Sequence, residues 1–407
     1  MKLLCLGMLI FMVCANAVAA DVREQPRYVV FGWSKAGVHF YSSDFQDMAI
    51  MPPHNTLYAQ VLKVGEPPQV VTKGVIVEYS FRENTYSAGK DTRRDKTNFW
   101  KYVRQLFGVD VAVNTGLTGK GLSGRMDQVN GYFTAEGIPL TEYRDSSAAD
   151  IDRALWERHP YQLASIVVKD EKTGVELCRA NVVASVSNEM NCGTCHGDAG
   201  MATERHGIKP TGKPQTNILS LHDKLNPDKY QVPLMHSRPV LCASCHASNA
   251  LGRKGQQGIP SLSNAIHRRH QSLTGITQDT QGCYHCHPGS RTQFLRGTMS
   301  VNYKLNCTTC HGAISNVARN LEPWKVEPRC DNVACHGQGY ALDKPLYNQS
   351  RSKTGVYCAV CHDSAHAIAP SSQENDQIKF KDMQSSPGTL RKCSVCHGRD
   401  VQRPFKH

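Results

Sequence analysis

The sequence predicts a multidomain protein, with an all-β, sandwich-like N-terminal domain followed by a mostly irregular domain of short helices. Two observations predict it. Residues 21–188 carry β-branched and aromatic runs at 27–33, 56–64, 69–81, 161–169 and 175–186, separated by turn residues. Fourteen of the 17 cysteines lie in pairs beyond residue 190, where no comparable strand pattern exists. The division expected is therefore 1–20, 21–188 and 189–407.

The first segment has Lys2, an apolar run over 3–13, and small residues at Ala17 and Ala19 before Asp21. That is the build of a secretory signal peptide, and its run is too short for a permanent membrane span. The expectation is an exported protein without a membrane anchor, placed in the periplasm or on the outer cell surface.

In the second segment, the runs 161–169 and 175–186 are joined across Asp170-Glu171-Lys172-Thr173-Gly174, a hairpin signature. Only 98–107 has helical character. Gly119-Lys120-Gly121-Leu122-Ser123-Gly124 matches a dinucleotide-binding fingerprint by letter, but a strand-like run follows it where a helix is needed. A glycine-rich loop is the better reading. Cys178, the one unpaired cysteine outside the leader, sits on an apparent strand and reads as a small buried hydrophobe rather than a reactive thiol.

The third segment holds the chemistry. Cys-x-x-Cys-His occurs six times: Cys192, Cys195 and His196; Cys242, Cys245 and His246; Cys283, Cys286 and His287; Cys307, Cys310 and His311; Cys358, Cys361 and His362; Cys393, Cys396 and His397. Chance supplies on the order of 0.03 copies in a chain of this composition. A seventh site, Cys330, Cys335 and His336, has four residues between its cysteines. The pattern is the attachment signature of haem c, in which two thioethers pin the porphyrin and the following imidazole becomes the proximal iron ligand. Zinc and disulfides also use paired cysteines, but neither explains a histidine directly after every second one.

Seven covalent haems are thus expected. The proximal histidines are spaced 50, 41, 24, 25, 26 and 35 residues apart. With about 31 residues of chain per haem, there is too little polypeptide for an ordinary core, so a haem-packed domain is predicted. Fourteen propionates would bring the formal +12 to about −2 with ferrous iron. The basic balance therefore carries no argument for nucleic acid, and many Lys and Arg are expected to pair propionates.

A haem that only carries electrons is best served by a second axial ligand. Eleven histidines remain for seven places. His222, the helical pair His267 and His270, and His366 have the strongest contexts; a pair three apart lies on one helix face yet can serve two haems. His206, His236 and His285 come next, and His54, His159 and His407 last.

Several stretches resemble the large multihaem c-type cytochromes of bacteria that respire metals or other extracellular acceptors. They are Phe31-Gly32-Trp33, Gly37-Val38-His39-Phe40-Tyr41, residues 51–57, residues 137–142, residues 239–252 and Gly355-Val356-Tyr357-Cys358. The resemblance implies a β-rich region joined to a haem-packed one, bis-histidine ligation and electron transfer, with His39 as a ligand given by the first domain. Similar sequences carry histidine where this chain has Ser352-Lys353-Thr354 and Ser385-Ser386-Pro387, which leaves one or two haems five-coordinate or ligated from elsewhere.

The expected function is an electron conduit, not an enzyme, passing electrons between redox partner proteins or to an extracellular acceptor. One alternative is a reductase or oxidase of a small nitrogen or sulfur compound at an open haem. A second is a homo-oligomeric cytochrome filament.

Overall fold

The computed structural model describes residues 27–89, 95–145, 157–229, 231–273, 276–322 and 346–400. The leader, the site at Cys330, Cys335 and His336, and His407 lie outside them. Strand β1 is Tyr28–Ser34, β2 His39–Phe40, β3 Met48–Ala49, β4 Thr56–Lys63, β5 Gln69–Val71 and β6 Val75–Phe81. After helix α1 (Phe99–Phe107) come β7 (Ser123–Arg125), β8 (Asp127–Val129), β9 (Tyr132–Glu136), β10 (Tyr161–Asp170) and β11 (Glu176–Ser187).

These strands form two five-stranded sheets. One runs β1-β4-β9-β8 with β5 also on β4; the other runs β2-β11-β10-β6-β7. The single run expected over 69–81 is two strands, because Gly74 turns the chain at φ 72. The hairpin expected across 170–174 is present, with β10 antiparallel to β11. The loop holding Gly119 leads into β7 and not into a helix.

Alternation along β1 and β4 decides what each sheet face meets. Val30, Leu57, Ala59 and Val61 point into the sandwich with Val77, Ile166 and Val182 of the second sheet. Gly32 lets the sheets approach, since a Cβ there would lie 2.6 Å from Ile166 Cδ1 and 3.0 Å from Val182 Cβ. The alternate residues Phe31, Trp33 and Leu62 face the other way, onto Tyr347, Val360 and Val395. Both faces of this sheet are therefore covered, which is why its strands read as near-continuous apolar runs. Cys178 is half-buried against the sandwich core, and burial pushes its thiol up to about 12.

Helix α1 buries Phe99, Val103, Leu106 and Phe107, a one-face spacing, and ends at Gly108 in the left-handed conformation. Its buried face packs on Leu241 and Ala243, which flank Cys242.

Beyond residue 188 the described chain is short helices joined by irregular segments. They are α2 (Gly193–His196), α3 (Met201–Arg205), α4 (Pro214–Leu225), α5 (Leu262–His270), α6 (Thr280–Tyr284), α7 (Thr298–Val301), α8 (Cys307–His311), α9 (Ile314–Arg319), α10 (Cys358–His362), α11 (Ile378–Gln384) and α12 (Ser394–His397). The single strand there, β12 (Val240–Leu241), pairs in parallel with β3.

The two regions are stitched by buried polar groups. Gln60, fully buried, donates to Gly355 O at 3.0 Å and accepts from Tyr357 N at 3.1 Å. Arg296 forms a two-pronged pair with Asp376 at 2.7 and 3.1 Å and donates to Gly37 O at 2.6 Å. Lys379 reaches Gly32 O and Asp363, each at 2.9 Å. Trp33, Tyr58, Tyr132 and Tyr357 close a ring of aromatic contacts at 5.2–5.8 Å, which seats the segment before Cys358 on the first sheet.

Candidate metal centres

Each described Cys-x-x-Cys-His motif is wound into a helical or 3-10 turn. The histidine N–H donates to the first cysteine's carbonyl at 2.8 Å for His196, 3.0 Å for His246, 2.9 Å for His287 and 2.9 Å for His397. Residues three and four apart share a helix face, so this turn sets both sulfurs and the imidazole on one side of the chain. Burial pushes several of these thiols up, Cys242 and Cys396 to about 12 and Cys361 to about 11, whereas a hydrogen bond from Cys283 lowers Cys307 to about 7.

Four motif histidines face a second imidazole from a distant segment. The ring centroids of His196 and His270 are 6.2 Å apart, those of His222 and His246 6.3 Å, and those of His267 and His287 and of His311 and His366 6.2 Å. A transition metal binds imidazole nitrogen at about 2.0 Å, and the centroid lies about 1.1 Å farther, so two rings on opposite sides of one iron should be about 6.3 Å apart. The four gaps fit one iron each.

The ring planes divide these pairs. His311 and His366 are within 12° of parallel and His267 and His287 within 19°, whereas His196 and His270 cross at 70° and His222 and His246 at 83°. Phe294 lies between two pairs, 6.4 Å from His287 and 4.4 Å from His366.

Hydrogen bonds at Nδ1 set the tautomer. His246 Nδ1 meets Pro260 O at 2.8 Å, His267 Nδ1 meets Ser263 O at 2.8 Å, and His270 Nδ1 meets Ile266 O at 2.7 Å. A carbonyl only accepts, so each Nδ1 carries the proton and each Nε2 keeps its lone pair, the arrangement of a metal-binding imidazole. His397 instead gives Nδ1 to the Glu66 carboxylate at 3.2 Å. Burial lowers His196 to about 4 and His366 to about 3, and also lowers His222 and His267. Desolvation of this kind disfavours the charged imidazolium and favours the neutral ring that a metal requires.

The remaining candidates are placed differently. His39 is buried on β2, its Nδ1 3.0 Å from His54 Nε2, and its own Nε2 has no hydrogen-bond partner among the described residues. His206 ends α3 near His196, whose pKa it helps to lower. His236 closes a surface 3-10 turn, and His285 is exposed within its own motif. His159 lies in an ion network with Arg144 at 3.2 Å and Glu83 at 3.8 Å. Where similar sequences carry histidine, Ser352 and Thr354 share a hydrogen bond in a turn, and Ser385 is the left-handed cap of α11.

The His54 and Glu66 contacts were not visible in the sequence, because both are pairings between segments with no shared local motif. Among the described residues, no three or more His, Cys, Asp or Glu side chains converge as a cluster for a free metal ion; the imidazoles meet in twos. No described helix is long and apolar enough to cross a membrane.

Residues 237–406 match the family model described as outer membrane cytochrome MtrC/MtrF-like, domains II/IV. No curated protein and no solved structure matches the chain. The match covers less than half of the chain, and every motif from Cys242 onward lies within it.

Proposed function

From this resemblance to the multihaem cytochromes of extracellular electron transfer, upheld by the match over residues 237–406, we propose that the protein is an exported c-type cytochrome that relays electrons. It carries seven covalent haems, passes electrons between redox partners or to an acceptor outside the cell, and works in the periplasm or on the outer surface. Bound haem supplies one-electron chemistry at iron, at low potential when both axial ligands are imidazole. The polypeptide's part is to hold, space and insulate the sites.

The observation that carries the proposal is the pairing of imidazoles at one-iron spacing, together with the way the pairs are linked. Helix α5 supplies His270 opposite His196 and His267 opposite His287, so two sites share one short rod. Phe294 joins the His267–His287 pair to the His311–His366 pair. The Cys192 and Cys242 sulfurs interact electrostatically, which supports neighbouring first and second sites. Cys361 and Cys396 are related in the same way. These contacts support a connected path in which every neutral imidazole stays in place on reduction, leaving little to reorganise.

The test is kinetic. Fully reduced protein mixed with excess soluble ferric chelate should reoxidise at every haem, including those away from the surface, without a slow residual fraction. A large population of haem that stays ferrous would sink the relay.

The crossing angles make a second prediction. Parallel imidazole planes split the ferric iron's π-type orbitals most, and perpendicular planes leave them nearly degenerate. Oxidised protein should therefore show rhombic low-spin resonance from the haems of His287 and His311, and strongly anisotropic signals from those of His196 and His246. Substituting His222 by alanine should remove one anisotropic signal and no rhombic one. Loss of a rhombic signal would show the assignment to be wrong.

A further inference from the structure

His54 and His39 form a hydrogen-bond chain with only one possible direction. His54 Nδ1 is 3.2 Å from Pro52 O, which can only accept, so His54 Nδ1 carries a proton and its Nε2 a lone pair. That Nε2 faces His39 Nδ1 at 3.0 Å, so His39 must donate from Nδ1 and carry its own lone pair on Nε2. The rings meet edge to face, with centroids 4.7 Å apart and planes at 89°, too close for an iron between them. His54 is thereby removed from the set of axial ligands and given a different role.

The segments around the pair are tied together by hydrogen bonds. Ile50 N and Met51 N both donate to Ser42 Oγ, Ser42 N donates to Met51 O, and Asn55 Nδ2 donates to Ser185 O. His39 is 7% exposed, and its Nε2 is a buried acceptor with no hydrogen-bond partner among the described residues. A buried polar atom left unpaired is costly, and a lone pair so placed suits a metal.

We propose that His54 is a positioning residue that fixes the tautomer and ring orientation of His39, so that His39 presents Nε2 to a haem iron from the N-terminal β region. The inference rests on the reading of His39 as an axial ligand. The three backbone-anchored histidines reach the same state through a carbonyl acceptor; His39 reaches it through a second imidazole, which is a better acceptor and strengthens the ligand's donation.

Holoprotein variants separate the two readings. His39→Ala should turn one haem equivalent from low-spin to high-spin, by electron paramagnetic resonance and resonance Raman. If every haem stays low-spin, the ligand reading falls. His54→Leu should shift one midpoint potential upward or make that same haem partly high-spin. His54→Gln should restore the wild-type signature, because its amide oxygen accepts from His39 and its amide nitrogen donates to Pro52 O. A His54→Leu protein identical to wild type in spin state and midpoints, alongside an altered His39→Ala protein, overturns the positioning role alone. Should the leucine variant yield no holoprotein, His54→Glu against His54→Gln decides. The carboxylate should lower one midpoint, and equal midpoints would refute the proposal.

Discussion

Replacing His267 and His270 together by alanine is expected to turn two haem equivalents high-spin at once, the largest spectroscopic change available from a single short helix. The rings are three residues apart on α5, so they rise about 4.5 Å along the axis while staying on one side. Each gives its Nδ1 proton to the carbonyl four residues back, Ser263 O and Ile266 O. That bond holds the ring along the helix and aims Nε2 outward, at His287 for one and at His196 for the other. Alanine keeps the helix, so the loss is of ligands and not of fold. The ferric high-spin signal should integrate to two haems in the double variant and one in each single variant. A double variant with one converted haem would mean that both histidines serve the same site.

Arg296→Ala should destabilise the protein by about 3–5 kcal/mol, the range for breaking a buried ion pair from one side. Arg296 and Asp376 are 2% and 3% exposed, so no solvent can take over for the lost partner. The guanidinium bridges three segments: the β1–β2 loop at Gly37 O, the stretch after the third motif that carries it, and Asp376 ahead of α11. Asp376 also accepts from Ser371 Oγ at 2.6 Å. Removing the arginine leaves that carboxylate buried with one neutral donor. Replacing both partners by apolar residues of similar volume should cost much less, because no charge is then stranded. Denaturant unfolding of the holoprotein followed by tryptophan fluorescence measures both. Equal losses in the single and double variants would argue against the stranded-charge account.

Much of the N-terminal region was legible because strand signals are local. The β-branched and aromatic runs at 56–64 and 161–169 predicted strands that the structure has, and the fingerprint-like glycines at 119–124 end in a strand as their context indicated. The division of 69–81 was not legible, since Lys73-Gly74 within an apolar run reads as an interruption only when the second sheet takes one half of it. Nor did the runs reveal that one face of β1 meets the second sheet while the other meets the Cys358 and Cys393 motifs. A strand apolar on both faces records burial, not the identity of what buries it.

Residue spacing alone predicts where haem would be tethered and that each proximal imidazole stands beside its two thiols, because thiol, thiol and histidine lie within one helical turn and need nothing from elsewhere. The folded chain adds which second imidazole stands opposite four of the motifs, which two of them the α5 pair faces, and that His54 answers to His39. These pairings join segments far apart in the chain. They are chosen by packing and hydrogen-bond direction, which leave no mark on residue spacing.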